Sequence, residues 1–249
     1  MTRQRLLLII TCAIIVLLLL LAAEFIYVQR NGTAVPAPTI PRAPQILGSG
    51  PALTYVVMGD STSIGQGTDY AHSYALNSAE HLAEHYTVTF VNVGISGATA
   101  KTVLSEQAAK AAGYKPSLVL LAVGANDATH FTSGKSLQTS LQRIITILRV
   151  ANSQVQIVVT GSPAMDSVSR FPVGAKQIMG LRTHQINRAF EPIIAKNRLV
   201  LAPIAEKTRA AFLADPTLTA SDNFHPNARG YALWIPIINH ALDQALEQK

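Results

Sequence analysis

The chain carries a serine soon after its first apolar stretches and a histidine near its far end. Gly59-Asp60-Ser61 follows a short apolar run, Tyr55-Val56-Val57-Met58, and Asp222-Asn223-Phe224-His225-Pro226 comes close to the C-terminus. A serine hydroxyl is a weak nucleophile until a base takes its proton, and the base needs an acid to orient it. Asp222 stands three residues before His225, so one short loop can present acid and base together. These residue types predict acyl-ester hydrolysis. Two blocks between them, Asn92-Val93-Gly94-Ile95-Ser96-Gly97 and Gly124-Ala125-Asn126-Asp127, are candidates for the remaining parts.

The elements that must position these residues follow from hydrophobic periodicity. Leu53–Met58, Thr87–Val93, Ser117–Val123, Val155–Thr160 and Arg198–Ala202 read as strands. Ser73–Tyr86, Thr99–Ala112, Ser136–Val150, Ala175–Lys196 and Asn227–Gln248 read as helices between or after them. Ser117–Val123 is apolar nearly throughout, as a central parallel strand should be. Strands separated by helices imply βαβ units and a mostly parallel sheet of five strands with helices on both faces. In such open sheets the active site forms outside the carboxyl ends of the strands. The first three blocks end the first three strands, and the Asp222 block precedes the closing helix.

Gly59-Asp60-Ser61-Thr62, Ser96-Gly97-Ala98-Thr99, Gly124-x-Asn126-Asp127 and Asp222-x-x-His225-Pro226-Asn227, taken in this order, resemble the SGNH hydrolases, also called the GDSL esterase/lipase family. The likeness runs from about Leu53 to Leu246 and points to the bacterial lysophospholipase and acyl-esterase branch. It implies a three-layer α/β/α, flavodoxin-like fold. It also implies Ser61 as nucleophile, His225 as base and then acid, and Asp222 as the group that orients the imidazole. The oxyanion hole would be the Ser61 amide, the Gly97 amide and the Asn126 side chain. Thr62 departs from the leucine common in the family, next to the nucleophile. No cofactor and no metal is implied.

Other residues invite competing readings. Asp60 and Asp127 read as turn residues that bond nearby backbone. Ser63 is a rival nucleophile two residues on. His81 and His85, at i and i+4, have the spacing of a metal pair, but a solvated helix face suits them better. The irregular segment Gly161–Gly180 should lie over the same rim. Its Met165, Phe171, Pro172, Val173 and Met179 are candidates to line a substrate pocket, and Arg170 or Arg182 to meet an anionic substrate.

The N-terminus supplies a location. Residues 1–5 read as a cytoplasmic tip, 6–28 as a transmembrane signal anchor, 29–51 as a Pro-rich linker and 52–249 as the hydrolase domain. Leu6–Ala23 is almost wholly apolar, longer than the usual h-region of a cleaved signal. Arg3 and Arg5 precede it, so the positive-inside rule puts the globular part outside the cell membrane, with Tyr27 at the outer interface. Asn31-Gly32-Thr33 fits the N-glycosylation pattern. Cys12 is the single cysteine, which excludes an internal disulfide. Net charge is +6 without a basic run or an Arg/aromatic stripe, so no nucleic-acid partner is expected. The expected substrate is a carboxylic ester, an acyl or O-acetyl group of a lipid or envelope glycan. An O-acyltransferase or a non-catalytic envelope-binding module on the same scaffold are the alternatives.

Overall fold

The computed structural model describes residues 2–31, 35–41 and 43–248. Its strands are β1 (Gln45–Leu47), β2 (Ala52–Gly59), β3 (Thr87–Asn92), β4 (Leu118–Ala122), β5 (Gln156–Val159) and β6 (Val200–Leu201). Among the described residues they form one six-stranded sheet in the order β1-β3-β2-β4-β5-β6. Every pairing is parallel except β1 with β3, where Ile46 lies opposite Thr89. The five strands expected from periodicity are all present. The sixth, β1, comes from the end of the linker, which therefore adds an antiparallel edge instead of running free to Pro51.

The helices are α1 (Arg3–Asn31), α2 (Tyr74–Ala83), α3 (Ala100–Thr102), α4 (Ala108–Gly113), α5 (Ala125–Thr129), α6 (Gly134–Ala151), α7 (Val173–Asn197), α8 (Ile204–Ala214) and α9 (Ala228–Glu247). Side-chain oxygens of Ser73, Ser133 and Asn227 accept amide hydrogens at the first turns of α2, α6 and α9. The expected Thr99–Ala112 helix is interrupted by a π-turn, Val103–Gln107. Two helices were not legible in the sequence, the short α5 and the amphipathic α8.

Successive side chains of a strand point to opposite faces, and here both faces are buried. Val56, Met58, Val119, Leu121 and Val159 enter a core closed by α6 and α7. Tyr55, Val57, Leu118, Leu120 and Val158 enter a second core closed by α2 and α9. That is why Leu118–Ala122 carries no polar residue. Outside these layers, α1 contains a 24-residue stretch, Arg3–Ile26, long and apolar enough to cross a membrane. A signal sequence shares those properties. Gly32 and Thr33 of the glycosylation pattern, and the side chain of Tyr27, lie outside the described residues.

Candidate active site

From β3 to β6 the strand order reverses direction at the β2/β4 pair, the place where open α/β sheets form their binding crevice. β2 ends at Gly59, just before Ser61, and β4 ends at Ala122, just before Gly124 and Asn126. A Cβ on Gly59 would run into the Ala122 carbonyl oxygen, so only glycine lets β2 leave the sheet this close to β4. The nucleophile turn is then fixed from several sides. Asp60 donates its amide to Ala122 O at 3.1 Å, and Gln66 donates to Ser61 O at 3.0 Å. Asn92 at the end of β3 donates Nδ2 to Ser63 O at 2.7 Å.

Asp222 and His225 come from the loop before α9, closed by a bridge between Thr219 and Pro226. Asn223 takes a left-handed conformation, φ 55°, and bends the loop so that Asp222 can face His225. Asp222 Oδ1 accepts the amides of Phe224 at 2.9 Å and His225 at 3.0 Å. Asp222 Oδ2 lies 2.6 Å from His225 Nδ1. His225 Nε2 lies 2.9 Å from Ser61 Oγ. All three side chains are buried. Burial would push the Asp222 carboxyl up, but the hydrogen bonds from His225, Phe224 and the His225 amide outweigh it and hold the group below its ordinary value. An ionised Asp222 accepts a hydrogen bond from Nδ1–H, which fixes the tautomer and leaves Nε2 as acceptor for the Ser61 hydroxyl.

Gly97 and Asn126 stand beside this relay. Gly97 has φ +78° and open space where a Cβ would be, which leaves its amide accessible to a bound group. Among the described residues, neither the Ser61 nor the Gly97 amide has a hydrogen-bond partner. Asn126 commits one hydrogen of Nδ2 to Ala98 O at 3.2 Å, which ties the Gly97 and Asn126 loops together. The Ser61 and Gly97 amides and the second hydrogen of Asn126 Nδ2 are the donors near Ser61 Oγ that a bound group could use.

The other candidates find different partners. Ser63 Oγ donates to Asp60 O at 2.6 Å, and the residue is fully buried, so it faces away from the crevice. Asp60 accepts from Thr62 N at 2.9 Å and Thr62 Oγ1 at 2.8 Å, a local turn as expected. Thr62 thus does polar work where the family's leucine could not. Asp127 is not a local turn residue: its Oδ2 accepts the Ala100 amide at 2.9 Å, across to the start of α3. His81 meets Asp243 of α9 at 2.9 Å. Arg170 lies over the Phe224 ring, and Arg182 lies over Phe131 and donates to Thr132 O. Neither arginine lines the pocket.

That pocket opens at Ser61, Asn126 and His225 and encloses about 40 Å³. Met165 lines it as expected, joined by Ala164 and Val168, while Phe171, Pro172, Val173 and Met179 do not. Phe171 packs edge-on against Phe224, and Met179 is in the core. Phe212 of α8 and Trp234 of α9 close the pocket instead, and sequence reading missed both. It also missed Gln107. The Gln107 side chain accepts Gly59 N and donates to Gly59 O, each at 2.8 Å, clamping the peptide before Asp60-Ser61. A polar residue between Val103 and Ala111 at i and i+4 spacing on a buried stripe was the available signal.

The profile of the GDSL-like lipase/acylhydrolase family matches residues 57–233. The chain is 28% identical over 200 residues to the GDSL-like esterase Rv1075c of Mycobacterium tuberculosis, covering 78% of this chain and 63% of that protein. It is 32% identical over 105 residues to esterase TesA of Pseudomonas aeruginosa, covering 42% of this chain and 52% of that protein. The chain thus spans less than two thirds of either relative's length. A solved structure of TesA superposes with a TM-score of 0.64 at 22% identity, over 77% of this chain and 99% of that one, which shows the shared fold.

Proposed function

The chain belongs to the GDSL-like lipase/acylhydrolase family, and from that premise we propose that it is a serine ester hydrolase working through an acyl-enzyme on Ser61. The observation that carries the reading is the unbroken line Ser61 Oγ, His225 Nε2, His225 Nδ1, Asp222 Oδ2, with steps of 2.9 and 2.6 Å. In this reading Oγ attacks the ester carbonyl carbon while Nε2 takes its proton. The carbonyl oxygen becomes an oxyanion held by the Ser61 and Gly97 amides and Asn126 Nδ2. Collapse of the tetrahedral intermediate breaks the bond to the leaving oxygen, which receives the proton from His225 and departs as alcohol. Water, deprotonated by the same imidazole, then releases the acid. Asp222 stabilises the imidazolium throughout and is not itself protonated.

The pocket favours a small acyl group, because its apolar inner wall is closed by Trp234 and Phe212 and leaves little room beyond an acetyl or similarly short chain. The length and apolarity of α1 support a membrane anchor, and Arg3 and Arg5 support an outward-facing domain at the cell membrane. Residues 6–28 would be the span, 29–51 the connection and 52–249 the catalytic domain. Hydrolysis of p-nitrophenyl acetate by the chain and by Ser61→Ala tests the core of this reading. The expected loss in kcat is about 10⁴-fold or more. A Ser61→Ala variant that keeps wild-type turnover would overturn it.

A further inference from the structure

Among the described residues, the C-terminal part of α1 meets the globular domain at Phe131 and at the start of α7. Phe25 meets Phe131 edge-on with ring centroids 6.5 Å apart. Leu21 lies so close to Gly174, in the first turn of α7, that a Cβ there would sit 2.8 Å from its Cδ2. Leu21 and Phe25 belong to the last turns of the Arg3–Ile26 apolar stretch, about 36 Å long at helical rise. Phe131 and the start of α7 are therefore level with the end of a segment that can cross a bilayer.

Beside that contact several apolar side chains remain exposed. Gly174, Ile178 and Leu181 follow at i, i+4 and i+7, so they share one face of α7. Leu181 is 58% exposed and Val173 79%. Phe131 is 54% exposed, with its backbone at φ 55°, a conformation bulky residues seldom adopt. Lys176 is in the first turn of α7, Arg182 stacks on Phe131 and donates to Thr132 O and Gln185 Oε1, and Glu24 of α1 comes near Gly174, so the charged groups lie around the apolar residues as at a membrane interface. The same segments build the site. Phe131 follows α5, which begins at Ala125-Asn126, and Phe171, just before α7, packs on Phe224 beside His225.

We propose that Phe131, Val173, Ile178 and Leu181 seat in the surface of the lipid bilayer beside α1, so that the crevice works at the membrane surface. The reading of α1 as an anchor underlies this. The rim then gives esters carried by membrane-embedded amphiphiles a short path to Ser61.

The test uses the full chain in vesicles of phosphatidylcholine and phosphatidylglycerol, the phosphatidylcholine brominated near the top of its acyl chains. Leu181→Trp and Val173→Trp report on the rim, and Val150→Trp, at the exposed end of α6, reports on a remote surface. Flotation after a carbonate wash checks the anchor, and turnover of a soluble acetyl ester checks folding. The rim variants should lose most of their added emission to bromine while Val150→Trp keeps its own. Floating vesicles with no difference between rim and remote positions would overturn the rim and leave the anchor standing. Failure to float would overturn both. Rim emission that ignores bromine but follows the protein-to-lipid ratio would assign the patch to a second copy of the chain, which also overturns the proposal.

Discussion

At the scale of the residue, the site puts two buried aspartates, Asp222 and Asp60, in opposite electrostatic positions. Asp222 stays ionised because donated hydrogen bonds outweigh its burial. Asp60 is in the opposite position: burial pushes its carboxyl up to about 6, against the bonds from Thr62. A carboxyl raised in the folded state favours folding when protonated, so stability falls as pH rises from about 4 through about 6 and then levels off. The full effect, from 3.8 to about 6, amounts to about 3 kcal/mol. Asp60→Asn keeps an acceptor for Thr62 and removes the charge. Denaturant midpoints of the variant and wild type should diverge in the variant's favour between pH 4 and 7, and a constant gap would refute this. Asp222 has the opposite sign: its contribution is full above the ordinary carboxylate value and is lost as pH falls through its lowered one. Asn126→Ala removes one oxyanion donor and should cost about 10²–10³ in kcat, read in steady-state hydrolysis of a soluble ester. An unchanged kcat would remove Asn126 from that role.

At the scale of the element, Ser61, Gly97 and Asn126 follow strand ends while Asp222 and His225 lie in the loop before α9, and what holds these segments decides the geometry. The strand–helix alternation and the motif blocks were legible because parallel strands buried on both faces read as apolar runs, three of the blocks directly follow them, and the fourth directly precedes the closing helix. Leu118–Ala122 and Ala228–Glu247 are examples of such legible elements. The pocket wall was less legible. α8 buries only Ile204, Thr208 and Phe212, a thin stripe with little periodic signal. β1 has three residues and depends on β3 for its pairing. The spacing of Gln107 between Val103 and Ala111 marks it as buried, but the π-turn that aims it at Gly59 leaves no mark in the spacing. Gln107→Ala would leave the buried Gly59 N–H without its partner and remove one of two bonds to Gly59 O. An unpaired buried group costs about 1–3 kcal/mol. The denaturant midpoint should fall accordingly, and kcat should fall as the Ser61 turn loosens. A variant as stable and active as wild type would show that the clamp is dispensable.

At the scale of the whole molecule, one sheet supports two cores and a crevice at its switch point, and an apolar helix meets Phe131 and the start of α7. The narrow pocket sets the expected acyl preference: kcat/KM for p-nitrophenyl esters should decline steadily from acetyl to octanoyl. A rise with chain length would mean that acyl groups do not enter the space bounded by Phe212 and Trp234. The central claim concerns the nucleophile, and it is tested most directly by covalent capture. The chain is treated with a fluorophosphonate, and the modified peptide is located by mass spectrometry. A single adduct on Ser61 is predicted, absent in Ser61→Ala and greatly slowed in His225→Ala. An adduct on Ser63 or elsewhere, or equal labelling of wild type and Ser61→Ala, would contradict the account.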